Sequence, residues 1–281
     1  MPYVIAQQLA IAPMHEANGV QTRPTYHSHV FTDLVFVLTW RDIKVKYKQS
    51  VMGLLWAVLM PMIIVGAGML VRVAIAKASG REVSVHDLAS MSVKALPWAF
   101  FVSAIRFSMN SLTANLNLVT KINCPRLAFP ISAVLSALFD LAIAMLPLMA
   151  VLAWTGVTLS VTLLWVPLIL ALLVLLVSGL GIALSAANLY YRDVKYIVEV
   201  LLTFAIFFTP VIYDAEMLGQ WRTWVMLNPI SPLLEGLRSA VVLGVMPDMQ
   251  WLLYSAVVSV CAFIGGWFLF QRLEPGFADN A

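Results

Sequence analysis

The amino-acid sequence predicts an all-α integral membrane protein, and three observations lead to that fold class. Of the 281 residues, 62% are hydrophobic and only 11% are charged, whereas a soluble domain carries roughly 25% charged residues. The apolar residues are gathered into runs long enough to cross a bilayer as helices. The basic residues lie between those runs rather than on one continuous face, which argues against a nucleic-acid partner.

Six apolar segments approach the roughly 20 residues that a helix needs to cross about 30 Å of hydrocarbon. They are Met52–Ile75, Ala95–Asn117, Leu127–Ala153, Leu163–Ala187, Tyr196–Ile212 and Trp251–Phe270. Prolines within them are tolerated where neighbouring helices satisfy the freed backbone groups. Residues 51–281 are therefore predicted to form one six-span domain, in which the fifth span is short.

The residues before the first span are predicted to form two different segments. Residues 1–30 contain no long apolar run behind a basic start, so no cleavable signal peptide is expected and the segment is assigned to the cytoplasm. Residues 31–50 contain Thr32–Gln49, which has a possible N-cap at Thr32 and changes from apolar to basic along its length. This pattern predicts an amphipathic helix along the membrane interface, although Ile43–Tyr47 also alternates as a strand would.

The segment Asp214–Met249, between the fifth and sixth spans, is too apolar to be a solvated loop. The sequence NPISP at Asn228–Pro232 separates two short apolar stretches, near Leu218–Leu227 and Leu233–Leu243. Two short re-entrant helices fit this pattern. A pair of amphipathic helices that remain among the headgroups is the alternative.

The distribution of lysine and arginine predicts that both termini lie in the cytoplasm. In that orientation ten basic residues flank the inner side of the spans, and the densest cluster, Arg41–Lys48, directly precedes the first span. Six flank the outer side, namely Arg72, Lys77, Arg81, Lys94, Arg222 and Arg238. Aromatic residues near the predicted outer boundary would form an interfacial belt. They are Trp98, Trp154, Trp165, Trp221, Trp224, Trp251 and Tyr254.

Arg106 and Asp140 are charged residues within predicted spans. Counted from the predicted span starts, both lie near the middle of the bilayer, on consecutive antiparallel helices. A lone charge there costs about 2.5–3.5 kcal/mol on insertion scales, so we hypothesise that the two form an ion pair. The alternatives are that Arg106 faces a substrate pathway, or that Asp140 bonds to a hydroxyl such as that of Ser136.

The sequence contains none of the familiar catalytic or phosphate-binding motifs. It lacks GxxxxGK[ST], HExxH, GxSxG and CxxC. The four histidines lie outside the predicted spans, and Cys124 and Cys261 are expected to be free structural thiols, with no metal site. The few polar groups within the spans favour a conduit over an intramembrane transferase. A structural scaffold is the third class of function considered for this sequence.

Four blocks of sequence resemble the ABC-2 type permeases that export O-antigen, capsule or teichoic-acid polymers. They are RDIKVKYKQSVMGLLWAVLMPM at Arg41–Met62, NCPRLAFPISAVLSALFD at Asn123–Asp140, YYRDVKYIVEVLL at Tyr190–Leu202 with FFTPVIY at Phe207–Tyr213, and NPISPLLEGLR at Asn228–Arg238. They occur in the order typical of the family and cover most of the chain from residue 31 onward. Residues 1–30 match no part of the family pattern.

The resemblance implies a homodimeric six-span permease of the bacterial inner membrane, with two copies of a separate ABC ATPase on its cytoplasmic face. The ATPase would bind ATP and Mg, so this chain would need no cofactor and carry out no catalysis. The substrate would be a lipid-linked glycan, as in lipopolysaccharide biosynthesis. A small lipid or drug-like substrate is the alternative within the same fold.

The resemblance also implies roles for individual residues. The interface helix and a short helix near Leu118–Arg126 would receive the movement of the ATPase. The residues assigned to that coupling are Arg41, Asp42, Lys44, Lys46, Lys48, Lys121, Cys124, Pro125 and Arg126. The lysines of the interface helix could instead anchor the chain to anionic lipids, and the two roles can coexist.

The polymer would cross at the dimer interface, along spans one and five. The candidate channel or structural residues are Arg106, Asp140, Arg192, Asp193, Glu199, Phe207, Phe208 and Tyr213. Capping of helix ends is the alternative role for Arg192 and Asp193. For the aromatic residues the alternative to stacking on sugars is ordinary helix packing.

Overall fold

The computed structural model describes residues 28–48, 55–78, 80, 84–121, 124–157 and 160–277. Within these ranges the chain is helical and contains no strand, which confirms the all-α fold class. The helices are α1 (Ser28–Lys48), α2 (Leu55–Ala78), α3 (Val85–Ala114), α4 (Leu116–Lys121), α5 (Ala128–Trp154), α6 (Trp165–Tyr190), α7 (Asp193–Ala205), α8 (Arg222–Met226), α9 (Ile230–Arg238) and α10 (Met249–Leu273). Most of the predicted segment 1–30 lies outside the described residues.

Four stretches of the described chain are long and apolar enough to cross a membrane. They are Val85–Ala114, Ala128–Trp154, Val161–Tyr190 and Met249–Phe277. They correspond to the second, third, fourth and sixth predicted spans. In α2, the counterpart of the first span, the apolar part is shorter and covers Val58–Ala74.

The fifth predicted span, Tyr196–Ile212, is wrong as a continuous helix. Helix α7 has 13 residues and ends at Ala205, which gives a length of roughly 20 Å at about 1.5 Å per residue. Turns follow from residue 206 to residue 211. Pro210 accounts for the end of the helix, because proline lacks a backbone N–H and disfavours the helical conformation of the preceding residue.

Helix α3 begins at Val85 rather than at the predicted Ala95. Ser84 is its N-cap, and the side chain of Asp87 accepts a hydrogen bond from the backbone N–H of Ser84 in a capping box. This reciprocal pair satisfies backbone groups at the helix start. Consequently Lys94, predicted to lie in an outer loop, belongs to the third turn of a long buried helix.

The long helices pack around α3, which is the most buried of the four candidate spans. Helices α5 and α6 cover α3, and α10 packs on α6. The contact of α6 with α10 depends on two glycines, since a Cβ on Gly266 would lie 2.2 Å from the carbonyl oxygen of Gly179.

The two ends of the bundle are named as follows. The inner end is the one at which α3 and α6 finish and α5 and α7 begin. The opposite end, where α3 and α10 begin, is the outer end.

Helix α1 is present, but it starts at Ser28 and not at an N-cap on Thr32, and it remains helical through Ile43–Tyr47. Val35 and Leu38 are buried in one cluster with Ala128 and Phe129, at the start of α5. Near the other end of α1, Lys46 binds Asp140, in the middle of α5. Helix α1 therefore runs alongside the first half of α5.

Residues 214–248, which we call the hairpin segment, contain the two predicted helical stretches with different surroundings. The second stretch, α9 continued by the π-helical Ser239–Leu243, is the buried one, since every residue of α9 is buried. The first stretch consists of a 3₁₀ turn at Ala215–Trp221, broken at Gly219 by a positive φ, and then α8. It exposes Trp221 and Trp224. Helix α9 therefore packs among other helices of the chain.

The aromatic residues of the predicted belt differ in their burial. Trp154, Trp221 and Trp224 are exposed on the surface of the chain. Trp98 is buried and stacks on Phe101 with a distance of 5.6 Å between ring centroids. Because α3 begins ten residues earlier than predicted, Trp98 lies inside the bundle and not at its boundary.

Candidate functional site

A cluster of six ionisable side chains lies at the outer end and joins α2, α3 and the hairpin segment. We call it the outer ion cluster. It consists of Arg72, Asp87, Lys94, Asp214, Glu235 and Arg238. Three positive and three negative groups balance one another, as burial requires, because an unpaired buried charge costs several kcal/mol.

Lys94 is the centre of the outer ion cluster and has no exposed surface. Its ammonium group donates to the carboxylate of Asp214 at 2.7 Å, to the carboxylate of Glu235 at 3.2 Å and to the carbonyl oxygen of Tyr213 at 2.7 Å. All three acceptors belong to the hairpin segment or the residue before it. One lysine of α3 thus binds both the start of the hairpin segment, at Tyr213 and Asp214, and Glu235 within α9.

Asp214 receives two further cations. Arg72 of α2 binds Asp214 and also lies 3.0 Å from the carboxylate of Asp87, while Arg238 lies 3.3 Å from Asp214. Burial alone would raise the pKa of Asp214, but Lys94, Arg238 and Arg72 together lower it below its usual value. The carboxylate is therefore ionised at neutral pH and ties α2 to the hairpin segment.

The sequence prediction missed the outer ion cluster. Arg72, Lys94 and Arg238 were assigned to outer flanks, where basic residues usually meet water. The capping pattern of Ser84 and Asp87 was the available signal, because it places the start of α3 early enough to bury Lys94.

The predicted ion pair between Arg106 and Asp140 is wrong. Arg106 instead donates to the carboxylate of Glu199 on α7, at 2.8 Å. Arg106 precedes the end of α3 at Ala114 by eight residues, roughly 12 Å, and Glu199 follows the start of α7 at Asp193 by six residues, roughly 9 Å. The two charges therefore meet at the same depth near the inner end.

Asp140 accepts hydrogen bonds from Lys46 and from the hydroxyl of Tyr47, both on α1, and not from Ser136. The ring of Tyr47 packs edge-on against Phe139, with 6.2 Å between centroids. The ammonium of Lys46 also lies 4.2 Å from the ring centroid of Phe107. Lys46 was predicted as a coupling residue, and the structure places it where it fastens α1 to α5.

The Arg106–Glu199 pair lies on an exposed face of the single chain. The side chain of Arg106 is 43% exposed and that of Glu199 is 35% exposed. On α7 the neighbouring Tyr196 and Phe204 are exposed, and so are the candidate residues Phe207 and Phe208. Tyr213 donates from its hydroxyl to the carbonyl oxygen of Phe207. This face, which we call the α7 face, combines an ion pair with aromatic rings.

Among the predicted coupling residues of α1, Arg41 and Asp42 are held against the bundle. The guanidinium of Arg41 lies 2.7 Å from Asp42 and donates to the side chain of Asn115 at 3.0 Å. Lys44 and Lys48 are exposed, and the ammonium of Lys44 lies 5.1 Å from the ring centroid of Trp40. These two lysines remain accessible to a partner or to lipid headgroups.

The predicted coupling helix at Leu118–Arg126 is shorter and begins earlier, as α4 at Leu116–Lys121. The side chain of Lys121 lies outside the described residues. Cys124 is buried, and this burial raises the pKa of its thiol despite the nearby Arg126. Pro125 and Arg126 form the turn into α5, where the carbonyl oxygen of Pro125 accepts from the N–H of Ala128.

Arg192 and Asp193 are exposed at the junction of α6 and α7. Arg192 is the N-cap of α7, but its side chain makes no capping hydrogen bond. Asp193 lies in the first turn, where a carboxylate interacts favourably with the helix dipole. The structure is thus compatible with the capping role for Asp193.

Within the described ranges, no group of three or more His, Cys, Asp and Glu side chains could hold a metal ion.

The chain matches the family model of the ABC-2 type transporter over residues 33–242. It therefore belongs to the ABC-2 type transporter family, whose members are membrane permeases, and the resemblance found in the sequence is confirmed. The matched range runs from α1 to the end of the π-helical turn after α9.

Named relatives cover nearly the whole chain. An O-antigen export system permease protein RfbA of Klebsiella pneumoniae is 26% identical over 256 residues, which are 90% of this chain and 97% of the relative. A second protein of that name from the same organism is 24% identical over 256 residues, with the same coverage. An O-antigen export system permease protein RfbA of Myxococcus xanthus is 27% identical over 254 residues, 89% of this chain and 96% of the relative.

Proposed function

We propose that this chain is the membrane subunit of an ATP-driven exporter that moves a lipid-linked polysaccharide across the bacterial inner membrane. In this proposal two copies of the chain assemble with two ATPase chains, which bind ATP and Mg. The family and the relatives named for O-antigen export support the substrate class.

The observation of the structure that carries the proposal is the exposed ion pair of Arg106 and Glu199. Ionisable groups within membrane bundles face a protein partner or a water-filled cavity, because lipid does not solvate them. The pair also lies beside exposed aromatic rings, which provide flat apolar surfaces next to polar groups. A wet face of this composition suits a sugar chain, which presents hydroxyl groups and apolar ring faces together.

The proposal is tested in a bacterium that lacks this chain and its ATPase and therefore keeps its polymer inside. Expression of both proteins is expected to restore polymer at the cell surface, measured with an antibody or lectin on intact cells. Replacement of the lysine in the phosphate-binding loop of the ATPase serves as the control and is expected to abolish surface polymer. ATP hydrolysis by the purified permease alone, or polymer export without any ATPase, would contradict the proposal.

The proposed orientation places the inner end in the cytoplasm and the outer end outside the membrane. In a background where Cys124 and Cys261 are replaced by alanine, a membrane-impermeant maleimide should label His86→Cys in intact cells. Arg192→Cys, which is also exposed on the chain, should react only after the membrane is opened. Labelling of Arg192→Cys in intact cells would reverse the orientation.

Coupling to the ATPase is proposed through α4 at the inner end and through the exposed Lys44 and Lys48 of α1. Replacing both lysines by glutamate is expected to reduce the amount of ATPase that copurifies with the permease. If the lysines act only as lipid anchors, the ATPase would copurify normally and binding to vesicles that contain anionic lipid would fall instead.

A further inference from the structure

The residues after α10 fold back onto the inner end of the bundle. Helix α10 ends at Leu273 and a 3₁₀ turn follows at Glu274–Phe277. Phe277 has no exposed surface and packs edge-on against Phe270, with 5.3 Å between ring centroids and an angle of 90° between the rings. Its ring also lies 6.0 Å from that of Tyr190. This turn lies beyond residues 33–242, the range that the family model matches.

Two polar contacts fasten this turn to other elements. The hydroxyl of Tyr190, the last residue of α6, donates to the carbonyl oxygen of Leu273 at 2.8 Å. The guanidinium of Arg126 donates to the carbonyl oxygen of Glu274 at 2.9 Å, and its central carbon lies 5.7 Å from the ring centroid of Phe277. Arg126 thus combines a charged hydrogen bond with a cation–π contact.

The elements joined in this way are those next to the proposed coupling helix. Arg126 belongs to the turn between α4 and α5, and Tyr190 precedes the Arg192–Asp193 junction that opens α7. The same buried cluster contains Val119 of α4 and Cys124 of the turn. Phe277 is therefore packed between the coupling turn, the end of α6 and α10.

Helix α4 is too short to be stable without contacts to its neighbours. It has six residues, and isolated helices shorter than about 12–15 residues are marginal in water. A push on such a helix moves the bundle only if the residues around it are fixed to longer helices. The contacts of Phe277 and Arg126 attach the turn after α4 to α6 and α10.

We propose that Phe277 and Arg126 are positioning residues, which clamp the turn after α4 to α6 and α10 so that movement of α4 is passed on to α6 and the start of α7. This inference rests on the proposed function, because it assumes that an ATPase acts on α4. It assigns a role in coupling to Phe277, which lies outside the matched family range.

The experiment uses the permease and its ATPase reconstituted together in proteoliposomes with lipid-linked polymer, and it measures polymer transported per ATP hydrolysed. In Phe277→Ala this ratio is expected to fall by about fivefold or more, the lower bound of typical coupling between sites, while ATP hydrolysis continues. Phe268→Ala is the matched control, because Phe268 is a phenylalanine of the preceding helix α10 that is 66% exposed. It should leave the ratio unchanged.

A role in folding alone would lower the amount and the melting temperature of Phe277→Ala but leave the ratio of the surviving protein at the wild-type value, which would overturn the inference. If Phe277→Ala does not accumulate, Arg126→Gln tests the same clamp, since it removes both the charged hydrogen bond and the cation–π contact. An unchanged ratio in Arg126→Gln would also overturn the inference. Failure of the wild-type complex to export polymer would instead contradict the proposed function.

Discussion

The outer ion cluster and the Arg106–Glu199 pair are both built from charges inside the same helical bundle, yet their surroundings differ sharply. In the outer ion cluster, Lys94 is completely buried and contacts two carboxylates and a carbonyl oxygen. At the inner end, Arg106 has one carboxylate partner and 43% of its side chain is exposed. The buried Lys94 thus has several partners, whereas the partly exposed Arg106 has one.

The difference separates buried charges, which stabilise one arrangement of the helices, from exposed charges, which can exchange partners. A buried charge that loses one partner leaves another without compensation, so the outer ion cluster resists rearrangement. An exposed ion pair contributes little to stability and can exchange its partner for water or a ligand. The outer ion cluster therefore holds the outer end in one arrangement. The α7 face has a charged pair that remains accessible on the surface of the chain.

The largest expected effect is that of Lys94→Met. Loss of the ammonium leaves Asp214 and Glu235 buried with less positive charge, which should destabilise the protein by about 3–5 kcal/mol. Lys77→Met is the control, since Lys77 is exposed near the end of α2. Thermal unfolding in detergent measures both variants. Equal melting temperatures would show that the outer ion cluster does not stabilise the fold.

A smaller effect is expected for Asp140→Asn. This change removes the charge that binds Lys46 and Tyr47, and hydrogen bonds to charged groups contribute about 1.5–3 kcal/mol. Amide hydrogen exchange in α1 should rise more than exchange in α3. Asp33→Asn, at an exposed position of α1, should leave exchange unchanged. If α1 stays equally protected in Asp140→Asn, Asp140 does not hold this helix.

Arg106→Gln should change stability by less than about 1 kcal/mol, as expected for an exposed pair, while export falls. Combining Arg106→Glu with Glu199→Arg should restore part of the export, measured as surface polymer at equal protein level. Combining Arg106→Asp with Asp140→Arg should not, because those residues are not partners. Rescue by the second combination alone would mean that the pairing at the inner end is misassigned.

The smallest expected effect is on the pH dependence of stability through Asp214. Its pKa is lowered in the folded protein, so its stabilising contribution is present above the unfolded value of about 3.9 and is lost as pH falls through the folded pKa. The difference in melting temperature between the wild type and Asp214→Asn should therefore shrink as pH is lowered from 6 toward and below about 4. A difference that stays constant over this range would contradict an ionised Asp214.

The sequence predicted the long apolar helices well and the shorter helices less well. Spans two, three, four and six appear as α3, α5, α6 and α10, since long apolar runs leave no other way to satisfy the backbone in lipid. The helix of the fifth span ends early, at Ala205 before Pro210, and α3 begins early, at the capping box of Ser84. Both errors came from weighing hydropathy above the local chemistry of helix ends.

The pairing of charges was the part that the sequence did not reveal. Arg106 and Asp140 were matched on depth, but the depth depended on a helix start that was ten residues too late. Their true partners, Glu199 and Lys46, lie on α7 and α1. Depth along one helix says nothing about which neighbouring helix faces a given side chain, so several pairings were equally consistent with the sequence.

The sequence by itself determined that the chain is a helical membrane protein of the ABC-2 type, because composition, apolar run length and short motifs are local properties of the chain. Only the tertiary structure decided that Lys94 joins α3 to Asp214 and Glu235, that α1 runs along α5, and that Phe277 packs beneath Arg126. These contacts join residues far apart in the chain. Their energies depend on burial and distance in the folded protein, which no local pattern encodes.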